Sequence, residues 1–263
     1  MALRTNGSIQ LIKRVLLVLA AVFSTSVAVA WAKNGDLEIR SHKASSGNEY
    51  TIFYQGSLSA SFDIKRPKQS DDTVLLCIPC AFTSYVGSVD GVYICDGKLH
   101  HRHFVADNFG GAAVIQNGSI ELMSTNKGKE LTTKFLDDLV KKKASLFQQF
   151  LIVENGQPAH FKDKTLFQRR AIAKFKDGQT AVFESRTAIT LTAFGHDLRG
   201  AGVTDALYTD MGAYDEGWYR DSEKNVKAMG LDKSLTGKQT NWLILRQRPI
   251  DRKTVQGSSP DHI

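Results

Sequence analysis

Three Asx–Gly dipeptides, Asp96-Gly97, Asn117-Gly118 and Asp177-Gly178, each sit beside or between short apolar runs. Such a pair readily supplies the two positive-φ residues of a tight hairpin turn, whose twist matches that of the flanking strands. Gly91–Cys95, Ala112–Gln116, Ala171–Phe175 and Thr180–Phe183 are therefore predicted strands of antiparallel sheet. Glu49–Gln55 is rich in β-branched and aromatic residues and is predicted as another strand. Ser59–Ile64 alternates and is expected to pair with it across Gly56-Ser57, while Arg66–Asp72 is a polar turn. Thr73–Ile78 is continuously apolar and predicts a strand buried on both faces.

Helical spacing occurs twice. Lys129–Lys143 places Leu131, Phe135, Leu136, Leu139 and Val140 along one stripe, and Thr190–Gly200 runs from a threonine cap to a glycine. Ala206–Tyr208 and Asn241–Arg246 read as further strands. The fold class expected is α+β, a mixed, largely antiparallel β-sheet with covering helices.

The N-terminus carries a different signal. Residues 1–32 contain no acid, but hold Arg4, Lys13 and Arg14 ahead of an apolar run from Val15 to Phe23 and the exit Ala30-Trp31-Ala32. This is the pattern of a cleaved secretory signal peptide. An uncleaved anchor is the competing reading, and the apolar core falls short of the about 20 residues a span requires. Removal leaves a globular domain over 33–248 and a loose polar tail over 249–263. The location expected is periplasmic or secreted, with membrane contact only through the export signal.

Of 34 basic residues, the three in the leader would be lost, leaving 31 against 27 acids, a net charge near +4. These charges are interspersed, and the one basic triplet, Lys141-Lys142-Lys143, closes a predicted helix where cations suit the dipole. No nucleic-acid partner is expected. The chain has three cysteines. Cys77-Ile78-Pro79-Cys80 has redox spacing, but its first cysteine falls inside an apolar strand rather than at a helix start. Structural cysteines, with room for one disulfide beside a free thiol, fit better. A zinc site completed by His100, His101 or His103 is a weaker alternative, and no cofactor or metal is assigned.

Three segments hold candidate chemistry. Arg169 and Arg170 enter an apolar strand, where alternation sends them to opposite faces. An arginine fork suits a phosphate, although a lone strand-edge arginine is ordinarily a surface residue. Leu207–Arg220 ends an apolar strand in Asp210 and continues through Gly212, Asp215, Glu216 and Arg220 among aromatics. Strand ends opening into glycine-bearing loops are places where ligands are held. Lys238-Gln239-Thr240-Asn241 puts four hydrogen-bonding side chains before the last strand, as a ligand contact or as a turn.

The order of these motifs resembles the phosphodiester glycosidase domain family, in its exported bacterial branch. Four stretches carry the resemblance: Cys77–Phe82, Gly110–Gly118, Arg169–Ile172 with Asp177-Gly178, and Thr190-Leu191 followed by Gly202–Gly212. They span most of the region after the leader. The resemblance implies hydrolysis of the glycosidic bond in a sugar-1-phosphodiester, releasing sugar and a phosphomonoester. By that resemblance Asp210 is the catalytic carboxylate and Arg169 the phosphate contact. The loop after Asp210 adds Glu216 as a second catalytic candidate, Arg220 as a second phosphate contact, and Gly212 and Asp215 as substrate contacts, and the entrance of the last strand adds Thr240 and Asn241. The expected partner is a saccharide phosphodiester or an envelope glycan. Two departures stand out. Where the family has Asn-Leu-Asp-Gly-Gly-Gly-Ser, this chain has Tyr208-Thr209-Asp210-Met211-Gly212-Ala213-Tyr214, and the early Asn-Gly-Gly-Phe is missing. They keep open a non-catalytic glycan-binding protein on the same scaffold. A thiol–disulfide protein using Cys77 and Cys80 is a third reading.

Overall fold

A computed structural model describes residues 35–213 and 215–248. The proposed leader and polar tail lie outside the described residues. In chain order the strands are β1 (Glu38–Lys43), β2 (Glu49–Tyr54), β3 (Ser59–Asp63), β4 (Val74–Pro79), β5 (Tyr93–Cys95), β6 (Lys98–His100), β7 (Gly110–Gln116) and β8 (Ser119–Ser124). Helix α1 (Thr133–Lys141) precedes β9 (Ser145–Glu154), β10 (Gln157–Pro158), β11 (Arg170–Phe175) and β12 (Thr180–Ser185). Helix α2 (Leu191–Gly200) leads into β13 (Val203–Tyr208), β14 (Trp218–Arg220), β15 (Val226–Ala228) and β16 (Trp242–Arg246).

Two sheets result, one 11-stranded with the path β1-β2-β12-β11-β13-β9-β5-β6, the other 5-stranded in the order β15-β14-β4-β16-β3. Every strand pairing among the described residues is antiparallel. This corrects the expected α+β class. The protein is mostly antiparallel β with two described helices, because helical periodicity persists only over Thr133–Lys141 and Leu191–Gly200.

All three expected hairpins form. Asn117 and Gly118 (φ 51° and 78°) join β7 to β8, with Gln116 opposite Ser119. A fourth turn at Asn155-Gly156 pairs β9 with β10, where no apolar run follows to announce it. The expected β2–β3 pairing does not occur. β2 lies between β1 and β12, whereas β3 crosses to β16 in the other sheet. The turn at Gly56-Ser57 therefore hands the chain from one sheet to the other.

That handover creates the main core. Phe53, Ile172, Val182 and Leu207 of the large sheet pack with Phe62, Leu76, Ile78, Leu243 and Leu245 of the small one. Each such fully buried side chain contributes about 1.5–3 kcal/mol of transfer free energy. The opposite face of β11 and β13, through Ala171, Ala173, Ala206 and Tyr208, packs with Leu191, Phe194 and Leu198 of α2. Leu136 and Leu139 of α1 cover Ile94, Ala112 and Leu146. Thr132 and Thr190 cap the two helices by accepting from Phe135 and Ala193 N–H groups at 3.2 and 3.1 Å. The local signals for helix starts are thus honoured even though the helices are few.

Candidate functional site

The site grows from the meeting of two strand ends, β13 of the large sheet and β4 of the small one. Beyond β13, Thr209 N–H bonds Arg170 O at 3.1 Å and Asp210 N–H bonds Cys80 O at 2.9 Å. Asn241, just before β16, grips the segment after β4. Its Oδ1 accepts from Ala81 N–H at 2.8 Å, and its Nδ2 donates to Ala81 O at 2.9 Å. Asn241 is fully buried and also accepts from the Cys80 thiol at 3.1 Å. One side chain thereby does the work of a strand ladder where β4 ends.

This clasp aims Thr83 at the carboxylate. Thr83 N–H donates to Asp210 Oδ2 at 3.3 Å, and the Thr83 and Thr240 hydroxyls share a bond of 3.1 Å. Gln239 accepts from the Thr83 hydroxyl at 3.4 Å and donates to Asn241 O at 2.9 Å. Burial pushes the Asp210 carboxyl up to about 7. The N–H groups of Thr83 and Met211 pull it down, Asp215 pushes it up, and Arg170 opposes Asp215. A carboxyl that gains and loses its proton near neutrality is suited to general acid or base work.

Beside it lies a buried ion cluster. Arg170, fully enclosed, donates to Asp215 Oδ1 and Oδ2 at 3.2 and 2.9 Å, and its Nε donates to Glu184 at 2.8 Å. Burial works against the guanidinium charge, but the two carboxylates more than offset it and raise its proton affinity. Gly217 N–H completes the Asp215 shell at 2.9 Å. Gly230 packs against the same carboxylate so closely that a Cβ there would come within 2.2 Å of Asp215 Oδ2, and its φ is +81°.

The expected site residues divide on this geometry. Asp210, Thr240 and Asn241 form one hydrogen-bonded group, and Asp215 couples to it electrostatically. Gly212 lies two residues beyond Asp210, with open space where a side chain would project. The alternation of Arg169 and Arg170 holds. Arg169 lies on the α2 side, where its Nη1 donates to the Tyr208 hydroxyl at 3.2 Å. Its Nε and Nη2 donate to Ile189 O and Thr165 O at 3.1 and 2.9 Å, and it is 5% exposed. It therefore braces β13 just ahead of Asp210.

Glu216 and Arg220 are not in this group. Glu216 pairs with Arg66 at 3.0 Å. Arg220 donates to the carbonyls of Val74, Lys224 and Asp71, so it closes the start of β4, at the far end of that strand from Cys80. The cysteines correct another expectation, since Cys77, Cys80 and Cys95 are all free and buried. Burial drives the Cys77 thiol up to about 12, which removes the thiolate a redox site needs. Among the described residues no three His, Cys, Asp or Glu side chains are grouped to hold a metal ion.

Sequence reasoning missed Thr83 and the loop that carries it. A cavity of about 940 Å³ opens there, between the Phe82–Asp90 loop and the His101–Phe104 loop. Gln148, fully buried, ties both loop roots by accepting from Val92 and Ala106 N–H at 3.1 and 3.0 Å and donating to Ala106 O at 2.9 Å. A buried polar side chain within β9 was the available signal, but no local pattern names its partners.

No protein-family model matches the chain, and no curated protein matches it. Solved structures do. The catalytic domain of zebrafish N-acetylglucosamine-1-phosphodiester alpha-N-acetylglucosaminidase, auto-inhibited by its pro-peptide, aligns with a TM-score of 0.55 at 12% identity. The alignment covers 83% of this chain and 85% of that one. A hypothetical protein from Synechocystis aligns with a TM-score of 0.54 at 11% identity, over 83% of this chain and 63% of that one. The likeness is one of fold. This antiparallel scaffold shares its overall fold with that domain, and Asp210 follows one of its strand ends.

Proposed function

We propose that the chain hydrolyses the glycosidic bond of a sugar-1-phosphodiester, with Asp210 as the general base. The observation that carries this reading is a buried carboxyl titrating near 7, held by Thr83 N–H beside an open cavity. The scaffold's likeness to a phosphodiester glycosidase supports the substrate class. A phosphomonoester leaves readily, so protonation of the departing oxygen matters less than in ordinary glycoside hydrolysis. The scarcer resource is a deprotonated nucleophile. Asp210 takes one proton from water, the oxygen bonds the anomeric carbon, and the carbon–oxygen bond to phosphate breaks with its electron pair. The sugar gains the hydroxyl, and the phosphomonoester leaves as an anion. Asp215 is committed to Arg170, so this task falls to Asp210.

The reading also puts the protein outside the cytoplasm, periplasmic or secreted, acting on a saccharide phosphodiester or an envelope glycan. Phosphomonoester release from sugar-1-phosphodiesters by the purified protein tests it. Wild-type turnover should exceed that of Asp210→Asn by about 100-fold or more, the scale of a lost acid–base group. Equal rates would remove the hydrolase. One observation favours a non-catalytic alternative, since Arg169 and Arg170 already hold protein acceptors. Saturable saccharide binding with no product would establish that alternative.

A further inference from the structure

With Arg169 engaged by protein acceptors and Arg220 at the far end of β4, the phosphate of such a substrate requires another cation. The cavity beside Asp210 offers one. Its first wall is the Phe82–Asp90 loop, held as a small hairpin by the Thr83–Val89 bridge and by Asp90 N–H on Phe82 O at 2.8 Å. Its second wall carries His101, Arg102 and His103 in succession. His101 Nδ1 lies 3.3 Å from Gly91 O, and Phe104 N–H bonds His101 O at 2.8 Å, so this wall has a defined turn.

We propose that this cavity binds the phosphoryl group and proximal aglycone of a saccharide phosphodiester, with Arg102, His101 and His103 as the phosphate contacts. The inference rests on the proposed reaction at Asp210 and names where that substrate's anionic half is held. Thr83 joins the two ends, because it is one of the residues lining the cavity while its N–H holds the Asp210 carboxylate. A glycosyl carbon at Asp210 and its phosphate in the cavity are thus served by adjacent groups. Arg102 is available for this role. It forms an ion pair with Asp137 at 2.6 Å, with both side chains about 40% exposed, where solvent makes such a pair weak. Asp90 belongs to the opposite wall, so the anion is placed on the histidine side. Tyr85, Val86 and Phe104 stand exposed at the rim. Exposed aromatic and apolar groups gathered at a largely apolar cavity mark a surface that a partner covers, here the aglycone or a sugar face.

Calorimetric titration with phenyl diesters of glucose, galactose and N-acetylglucosamine 1-phosphates tests this, with the matching phenyl glycosides and inorganic phosphate as controls. At least one diester should bind the wild type about tenfold more tightly than its glycoside, with affinity falling as salt rises. The triple variant His101→Ala, Arg102→Ala, His103→Ala should lose about tenfold or more for the diester and nothing for the glycoside. Arg102→Gln alone, at a half-exposed position, should show part of that loss without risk to folding. Asp210→Asn should keep diester binding while losing turnover. Diester affinity unchanged in the arginine and triple variants overturns the site, and so does the absence of saturable diester binding. Binding that depends on Arg102 in a protein that releases no phenyl phosphate upholds the cavity and removes the hydrolase.

Discussion

Asp210 is a buried carboxyl whose proton affinity the fold raises, and its titration has a sign that can be worked out. In an unfolded chain an aspartate titrates near 3.9; in the fold, burial lifts Asp210 to about 7. The folded state therefore holds the proton more firmly, and this contribution to stability is full below the unfolded value and lost as pH rises through about 7. The shift corresponds to roughly 4 kcal/mol at high pH. Asp210→Asn removes that titration while keeping an acceptor for Thr83 N–H. Thermal melts should show the variant matching the wild type near pH 4 and exceeding it by several degrees at pH 8. A pH-independent difference would mean that Asp210 does not titrate as described. The sequence marked Asp210 as an acid at a strand end, but not its proton affinity. That depends first on burial and then on Thr83, Asp215 and Arg170, which reach it only through folding.

At the scale of elements, the Arg170 cluster fastens β11 to β12 through Glu184 and to the segment before β14 through Asp215. Removing the cation alone leaves two enclosed carboxylates uncompensated, which typically costs 3–5 kcal/mol. Arg170→Met should therefore lower the urea midpoint sharply. Gly230→Ala, which pushes on the Asp215 carboxylate from the other side, should do so as well. A wild-type midpoint in both variants would show that the cluster does not hold these elements together. Hairpins were readable because each turn is decided by two adjacent residues, as at Asp96-Gly97 and Asn117-Gly118. The β3–β16 pairing was not, because no local pattern in Ser59–Asp63 points to Trp242–Arg246. Alternation correctly separated Arg169 from Arg170, yet could not say that the first braces Tyr208 and the second neutralises two acids.

Across the whole molecule, one core joins the two sheets, so the described region should unfold in urea as a single cooperative transition, with fluorescence and circular dichroism coincident. Separated transitions would mean that the sheets are independent units. N-terminal sequencing tests the proposed leader: cleavage as a signal peptide predicts a mature chain beginning at Lys33, and an intact Met1 on a membrane-bound product would replace the signal peptide with an anchor. The amino-acid sequence by itself determined the antiparallel hairpins, the threonine cap of α2 and the all-apolar strand β4, because those depend on neighbours a few residues apart. Only the tertiary structure decided which acid is poised and which cations are already taken. Asn241 meets Ala81 across 160 positions, and Arg170 meets Asp215 across 45. Local pattern carries no record of such distances, since burial and charge pairing exist only once the two sheets have closed on each other.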